Sequence, residues 1–263
     1  MAGFNGLQFI FDGVPSSFYN LCLADFDGAG FKTNSAGSNV QIIEDEILRR
    51  PTSYFYGVSQ TEKLQFEITI ISNKPMSRTD VAIAQKWLFG QTKRKKLQIV
   101  QCDLDGVYFD CMLTNPQVVS IGNAPRGFTC TVVCDAPWAW EFPRTSTFTT
   151  QEVETTLEFY NSSDNSDYLY PIIQFTLDAN TTDISATNLN DGNRIFAFDN
   201  LSPNETIYVN NDLEIITSST GLNRLPNFNG KWFRFKQGLN RVRIIGGLSS
   251  AQITYQFARK VGS

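Results

Sequence analysis

The chain has 263 residues, of which 41% are hydrophobic and 18% are charged, and its net charge at neutral pH is −4. This composition predicts folded domains with substantial cores and excludes a disordered tail, and so small a negative charge offers no electrostatic basis for binding DNA. The sequence contains no histidine, which excludes Ser-His-Asp, Cys-His and histidine–metal mechanisms and leaves carboxylate-only catalysis as the remaining chemistry.

The N-terminal sequence MAGFNGLQFIFDG has no basic start and no sustained apolar run, so it does not match a secretory signal. Nowhere does an apolar stretch reach the length of a membrane-spanning helix, so we expect no membrane association. The five cysteines lie between Cys22 and Cys134. An odd number of cysteines without a secretory signal is typical of reduced thiols, and we expect synthesis in a cytosol.

Residues 28–57 show only a weak secondary-structure pattern, and the segment is long for a connector within a compact domain. Segments of this kind are usually functional or disordered. Four apolar side chains within it need a partner: Ile42, Ile43, Ile47 and Leu48. Two hypotheses stay open, since the segment can contact a neighbouring subunit or form an ordinary surface hairpin over its own domain.

A strand and a helix follow. Residues 64–72, LQFEITIIS, alternate apolar and polar side chains and predict a half-buried strand. A helix is predicted over Arg78–Phe89, with Ser77 as its N-cap and Gly90 directly after its end. Because its apolar residues fall on one face, the helix is expected to pack against a sheet.

Residues 97–113, LQIVQCDLDGVYFDCML, predict a hairpin whose two-residue turn is Asp105-Gly106. Pairing outward from that turn places Val100, Cys102 and Cys111 on one core face. The cysteines are interpreted as structural thiols, because their spacing lacks the C-x2-C knuckle of a zinc site. We predict neither a metal nor another cofactor.

The sequence CDAPWAWEFPR, residues 134–144, marks a domain boundary, because two prolines bracket Trp138 and Trp140. We expect a stiff interdomain junction in which both tryptophans pack between the domains. The predicted domains are residues 1–140 and residues 141–263.

Short strand patterns follow one another after residue 170, separated by Gly, Asn, Asp and Pro turns. They are PIIQFTL, NRIFAFD, ETIYVN, LEIIT, KWFRF, RVRII and ITYQF. Short strands at regular intervals, with turn residues between them, predict a β-sandwich or jelly roll. The predicted fold class is therefore mainly β, with a β-sandwich-like N-terminal domain that carries one α-helix and a β-sandwich C-terminal domain.

Aromatic residues of the second half can stack on sugar rings, and Trp232 and Tyr208 are the candidates. Strand alternation predicts that about half of such aromatics face the core instead. A glycoside hydrolase would need two carboxylates that converge across a groove, and the sequence gives no reason to pair any two.

Five groups of motifs occur in order along nearly the whole chain. They are FIFDGVPSSFYNLCLADFDG (residues 9–28), the strand–helix–strand block (64–113), GFT leading into CDAPWAW (127–140), YPII (170–173), and FNGKW, GLNRV and ITY (228–255). Their order and spacing resemble the distal tail protein (Dit) family of long-tailed, siphovirus-type bacteriophages. One departure is Val209-Asn210-Asn211, where the family pattern has an acidic residue after the valine, which puts a ligand role of that turn in doubt.

The resemblance implies a ring-forming N-terminal domain and a galectin-like, jelly-roll C-terminal β-sandwich. Proteins of this family assemble as a hexamer at the tail tip, where they join the tail tube protein to the tail-associated hub protein and to receptor-binding or accessory baseplate proteins. It implies no catalytic residues. The expected location is the virion tail tip, after synthesis in the bacterial host cytoplasm.

A closed ring needs two different complementary patches on each subunit. We expect residues 28–57 to supply one, with Ile42, Ile43, Ile47 and Leu48 buried against the adjacent N-terminal domain. The central channel must pass DNA, so we expect a neutral or mildly acidic lining and no specific nucleic-acid binding. The alternative function is a carbohydrate-binding module that recognises host cell-wall sugars through the two candidate aromatics.

Overall fold

The structure of the protein, a computed structural model, describes residues 7–24, 41–48, 50–59, 62–102, 104–150 and 154–261. These residues form two compact units. The first contains the described chain up to Glu141 together with the stretch from Arg259, and the second contains Phe142–Ala258. Strands dominate both units, and one α-helix lies in the described part of the first. The predicted mainly β fold class is confirmed.

The described strands are numbered in chain order. The first ten are β1 (Phe9–Phe11), β2 (Val14–Pro15), β3 (Leu21–Ala24), β4 (Gln41–Asp45), β5 (Tyr54–Ser59), β6 (Gln65–Ser72), β7 (Lys95–Ile99), β8 (Val107–Ile121), β9 (Ala124–Cys134) and β10 (Ala139–Glu141). The others are β11 (Arg144–Thr150), β12 (Glu154–Asn161), β13 (Ile172–Leu177), β14 (Ile184–Asn188), β15 (Arg194–Phe198), β16 (Thr206–Asn210), β17 (Ile215–Ser218), β18 (Gly238–Ile245), β19 (Leu248–Tyr255) and β20 (Ala258–Arg259).

The first unit is built on a nine-stranded sheet, counted over the described residues, with the order β2-β1-β7-β8-β9-β6-β3 and with β10 pairing β8 and β20. The helix α1 (Arg78–Phe89) follows β6 and has the predicted bounds. Ser77 caps it, because its hydroxyl accepts a hydrogen bond from the Asp80 amide at 3.1 Å while the Asp80 carboxylate accepts one from the Ser77 amide at 2.9 Å. Within the described residues, no helical segment has the length and apolar character of a membrane-crossing helix.

The core of the first unit lies between α1 and the sheet. Trp87 of α1 stacks on Phe9 of β1 with 5.9 Å between ring centroids, and it contacts Tyr19 of a short 3-10 turn (Ser16–Tyr19) at 4.6 Å. Ala84 and Leu88 lie on the same face of α1 and are buried. The predicted amphipathic helix face is therefore confirmed, and its burial positions the 3-10 turn beside α1.

The predicted hairpin over residues 97–113 has the wrong register. Leu97 of β7 pairs with Phe109 of β8, so the strands are joined by a loop instead of a two-residue turn. Gly106 has a φ of 75°, but Asp105 is not among the described residues with positive φ. A type I′ turn requires positive φ at both central residues. The Asp-Gly pair therefore forms one bend within a longer connection.

The second unit is a β-sandwich. One sheet has the order β11-β19-β13-β16-β17 and the other has the order β12-β18-β14-β15. Their facing side chains form one hydrophobic core that includes Phe175, Ile207, Phe196 and Val242. The predicted C-terminal sandwich is confirmed, and the strands predicted at PIIQFTL, NRIFAFD, ETIYVN, LEIIT, RVRII and ITYQF correspond to β13 and β15–β19.

The predicted strand KWFRF, residues 231–235, is wrong. Its alternating aromatics Phe233 and Phe235 are buried, but only Phe235 forms a strand-like bridge, to Leu169. The Asn211 side chain holds this loop in place, since its Oδ1 accepts a hydrogen bond from the Phe233 amide at 2.8 Å and its Nδ2 donates to the Pro171 carbonyl at 2.7 Å. The alternating burial of aromatic residues in this segment reflects packing in the core, and the segment does not form a hydrogen-bonded strand.

Candidate assembly surface

β4 and β5 form a separate two-stranded antiparallel sheet. The pairing runs from Gln41 opposite Ser59 to Asp45 opposite Tyr54. A register shift leaves Tyr56 without a cross-strand partner, next to Gly57, which has a φ of 146°. Such a bulge bends a ribbon and increases its twist.

The turn of this hairpin is ordered by local polar contacts. The Ser53 hydroxyl donates a hydrogen bond to the Glu44 carboxylate at 2.6 Å. The Arg50 guanidinium lies over the Tyr54 ring, 4.8 Å from its centroid, and donates to the hydroxyl of the same residue. The Arg50 amide donates to the Ile47 carbonyl at 3.0 Å. These local polar contacts therefore order the turn of the hairpin.

Every described side chain from residue 41 to residue 56 is exposed. The hairpin patch consists of its large apolar and aromatic members: Ile42, Ile43, Ile47, Leu48, Tyr54, Phe55 and Tyr56. Leu48 is 91% exposed and Ile42 is 58% exposed. None of these side chains belongs to the hydrophobic core of the first unit.

Both faces of the hairpin carry apolar groups. The register puts Ile42 and Phe55 on one face and Ile43 and Tyr54 on the other. An isolated two-stranded ribbon is marginally stable in water, and contiguous exposed apolar surface is typical of an interaction site. Of the two sequence hypotheses, the hairpin is present, but its described side chains do not pack into its own unit; contact with a neighbouring subunit stays a prediction.

A second exposed apolar surface in the first unit was missed by the sequence analysis. Phe18 of the 3-10 turn is 75% exposed, and Ile83 of α1 is 46% exposed. They line one cleft of about 280 Å3 together with Met76 and Pro75. We name it the Phe18–Ile83 cleft. The sequence carried no signal for it, because only the contact of Tyr19 with Trp87 in the structure shows that the neighbouring Phe18 points outward.

Both candidate junction tryptophans lie in the first unit. The rings of Trp138 and Trp140 meet edge to face with 5.7 Å between centroids. Trp140 Nε1 donates to the Asp135 carboxylate at 3.1 Å. Burial raises the pKa of Asp135, although this hydrogen bond opposes the rise. Packing of the two tryptophans between domains stays a prediction.

The two candidate sugar-stacking residues lie in different elements: Tyr208 is in β16, and Trp232 is in the loop before β18. Tyr208 points outward from β16, because its neighbours Ile207 and Val209 are buried in the core. Trp232 is partly buried and packs on Phe228, with 4.7 Å between ring centroids, and the core residue Phe228 in turn stacks on Phe198 of β15. The structure does not bring the two aromatics together into one platform.

The core cysteines of the described chain are buried thiols with raised pKa values. Burial raises the pKa values of Cys130 and Cys134 to about 12, so both thiols stay protonated at neutral pH. Cys111 is also buried, but Cys102 and Val100 are exposed, which corrects the predicted core face of the hairpin. Among the described residues, no group of His, Cys, Asp and Glu side chains has the arrangement of a metal site.

Comparison with solved structures defines the class of this fold. The Dit protein of phage SPP1, described as a paradigm of the hub adsorption apparatus in phages that infect Gram-positive bacteria, matches with a TM-score of 0.70 and 12% identity over 95% of this chain and 99% of that one. A chain of the phage p2 baseplate in its activated conformation matches with a TM-score of 0.47 and 12% identity over 95% of this chain and 97% of that one. The protein therefore has the fold of SPP1 Dit.

Family models identify the chain further. A phage tail protein N-terminal domain matches residues 4–136, and a phage tail C-terminal domain matches residues 138–255. The chain belongs to this phage tail protein family. No curated protein matches its sequence. The resemblance seen in the sequence motifs is confirmed by the family and by the shared fold.

Proposed function

We propose that this phage tail protein is a non-catalytic tail-tip component, the hub of a baseplate, that forms a hexameric ring. The ring joins the tail tube protein to the tail-associated hub protein and to receptor-binding components, and DNA passes through its channel. Membership of a phage tail family and the fold of SPP1 Dit support this role. The hairpin patch is the observation that carries it, because an exposed apolar ribbon needs a partner surface.

Ring closure requires two unlike surfaces on each subunit, which meet head to tail. The hairpin patch is one, and the Phe18–Ile83 cleft in the same unit is the other. Each apolar side chain that becomes fully buried contributes about 1.5–3 kcal/mol, so a few such contacts stabilise an interface. Phe18 is the most exposed aromatic ring of the described chain, as expected of a residue that is covered only after assembly.

Acidic residues within the hairpin keep the free subunit soluble. Glu44 and Asp45 lie on β4, and Glu46 follows the strand. Charges on an exposed ribbon oppose its pairing with other strand edges, which is the usual route from an exposed hairpin to aggregation. The hairpin therefore combines an apolar contact surface with protection against unspecific strand pairing.

The outer face of the four-stranded sheet is the docking surface for receptor-binding or accessory proteins. It presents Tyr160 (68% exposed) and Ile195 (42%) among partly apolar neighbours. The Glu158–Arg241 ion pair lies on the same face, with 2.9 Å between carboxylate and guanidinium. Aromatic and arginine side chains are enriched in protein interfaces.

A channel that passes DNA needs few free cations, because phosphates bind clustered Lys and Arg. The net charge of −4 meets this need. The sequence has one dense basic run, residues 93–96 (KRKK). Two of its members are engaged within the subunit: Lys95 pairs with Asp12 at 2.9 Å, and Lys96 lies 4.3 Å from the Tyr108 ring centroid.

Electron microscopy of the purified full-length protein tests the proposal. We expect closed rings of uniform diameter in negative stain and a mass by light scattering of six subunits. Co-purification with the tube and hub proteins of the same phage is the second expected result. A protein that stays monomeric at high concentration and binds neither component would contradict the proposal.

A further inference from the structure

Among the described residues, no charged side chain occupies an outward position on the strands of the five-stranded sheet. Phe175 and Ile207 are among the residues that point into the core, so the alternate positions of β11, β19, β13, β16 and β17 face outward. Those outward positions are occupied by Thr, Gln, Ser, Asn, Tyr and Ile alone. The opposite face of the same sandwich carries the Glu158–Arg241 ion pair. The two faces therefore suit different ligands.

One row of hydrogen-bonding side chains crosses all five strands. The strand register places five residues side by side in the order Thr147, Gln252, Gln174, Tyr208 and Thr217. Neighbouring strands are about 4.8 Å apart, so the row is roughly 19 Å long. A row of this length can contact several consecutive units of a linear chain molecule, whereas a single small molecule would cover only part of it.

The hydrogen-bonding groups at the centre of this row are free. The Gln174 and Gln252 amides are exposed, and neither amide nor the Tyr208 hydroxyl bonds to another described residue. In the rows on either side, the threonines pair with one another instead: Thr176 with Thr206 at 2.8 Å, and Thr145 with Thr254 at 3.0 Å. The central row is thus where a ligand finds unused donors and acceptors.

The chemistry of the face selects among ligand classes. A phosphate-rich ligand needs cations, and no described residue at an outward position of this sheet is a cation. Protein interfaces centre on buried aromatic and arginine anchors. The outward positions of the described strands hold one aromatic residue, Tyr208, and no arginine, and Ile172 and Ile215 lie in the row beside it. Each glutamine amide offers two hydrogen-bond donors and one acceptor in a plane, so it can bind two adjacent hydroxyl groups of a sugar. An aromatic ring can pack against the apolar face of a sugar ring.

We propose that Gln252, Gln174 and Tyr208 form a binding site for a neutral oligosaccharide or polysaccharide chain. The amides hydrogen-bond to sugar hydroxyls, and the Tyr208 ring packs against one sugar ring. Trp232 takes no part, because its ring packs on the core residue Phe228, which stacks on Phe198 of the other sheet. This activity goes beyond the proposed assembly function and does not depend on ring formation.

The test uses the full-length protein on an array of neutral oligosaccharides built from glucose, galactose, N-acetylglucosamine or rhamnose, beside phosphorylated and sulfated glycans. Affinities for the glycans that bind are then measured per subunit by calorimetry at low and high salt. We expect binding to neutral glycans that is insensitive to salt. Tyr208→Ala should weaken it about tenfold or more, since a lost stacking contact of about 1.4 kcal/mol is a factor of ten.

Matched variants make the result specific. Gln174→Ala combined with Gln252→Ala should weaken binding to a similar extent, while Tyr208→Phe, which keeps the ring, should retain most of it. Tyr160→Ala removes an exposed aromatic from the opposite sheet and should leave the affinity unchanged. Ile43→Asp with Ile47→Asp disrupts only the hairpin patch, so its per-subunit glycan affinity separates this site from assembly. The proposal would be overturned if no neutral glycan bound or if only charged glycans bound. Equal losses of affinity in Tyr208→Ala and Tyr160→Ala would also overturn it.

Discussion

Glu205 and Arg224 form a buried ion pair in the second unit. The Arg224 Nη2 lies 2.6 Å from Glu205 Oε2, and its Nε lies 2.8 Å from Oε1. The Ser202 amide donates to Oε2 at 2.8 Å, and the Ser218 hydroxyl donates to the other oxygen. Because Glu205 directly precedes β16 and Ser218 ends β17, this one carboxylate joins the strands that border the uncharged face to the loop that carries Arg224.

Glu205→Gln is expected to lower the free energy of unfolding of the second unit by about 3–5 kcal/mol, because it leaves the Arg224 guanidinium buried without a counter-charge. Chemical denaturation followed by circular dichroism measures the change. Glu158→Gln is the matched control: its pair with Arg241 is more than half exposed on both sides, so the loss should stay below about 1 kcal/mol. Equal losses in the two variants would contradict the structural assignment.

The same pair predicts a pH dependence. Burial alone would raise the pKa of Glu205, but hydrogen bonds from Arg224 and Ser218 outweigh it and lower the pKa from 4.5 to about 2. The folded state therefore binds this proton less readily than the unfolded state, and the resulting stability, about 3 kcal/mol, is present above pH 5 and lost as the pH falls from about 4.5 to about 2. The difference in unfolding free energy between the wild-type protein and Glu205→Gln should shrink over this range.

Ile43→Asp combined with Ile47→Asp is expected to leave the purified protein monomeric, because it puts two charges into the hairpin patch, where assembly would bury them without counter-charges. Light scattering coupled to size exclusion measures the mass. Ile195→Asp, at an apolar position of similar exposure in the second unit, is the control and should leave the ring intact. A full-sized ring in the hairpin variant would show that this patch is not a subunit interface.

A mixing experiment tests the pairing of the two patches. Phe18→Asp should also yield monomers, because it disrupts the Phe18–Ile83 cleft. When the cleft variant and the hairpin variant are mixed, each retains the patch that the other lacks, so a single contact can form per pair. We expect 1:1 heterodimers and no larger species. Rings in the mixture, or no association at all, would show that the hairpin contacts a different surface.

Prediction from the sequence worked best where the signal was local. The capping residues and the apolar face of α1 lie within one segment, and its bounds were predicted correctly. Most strands after residue 170 were also predicted from alternation and turn residues. β11, β12 and β14 were missed, because threonine and other polar side chains on both sides blur the alternation of apolar residues.

Register was the weakest part of the prediction. Asp105-Gly106 is a strong local turn signal, yet Leu97 pairs with Phe109, because buried partners along the whole strand outweigh one turn. KWFRF likewise has strand-like alternation but packs as a loop. For the candidate sites, the apolar members of the hairpin patch on β4 and its turn were identified from the sequence, whereas Phe18 was not.

By itself, the sequence determined that the protein is mainly β with one helix, that it lacks histidine chemistry, and that its motifs resemble those of phage tail proteins, because composition, caps and periodicity are properties of neighbouring residues. Only the tertiary structure decided that the hairpin patch stays outside the core and that Gln174, Gln252 and Tyr208 stand in one uncharged row. These residues are far apart along the chain, and strand pairing across the sheet alone brings them together.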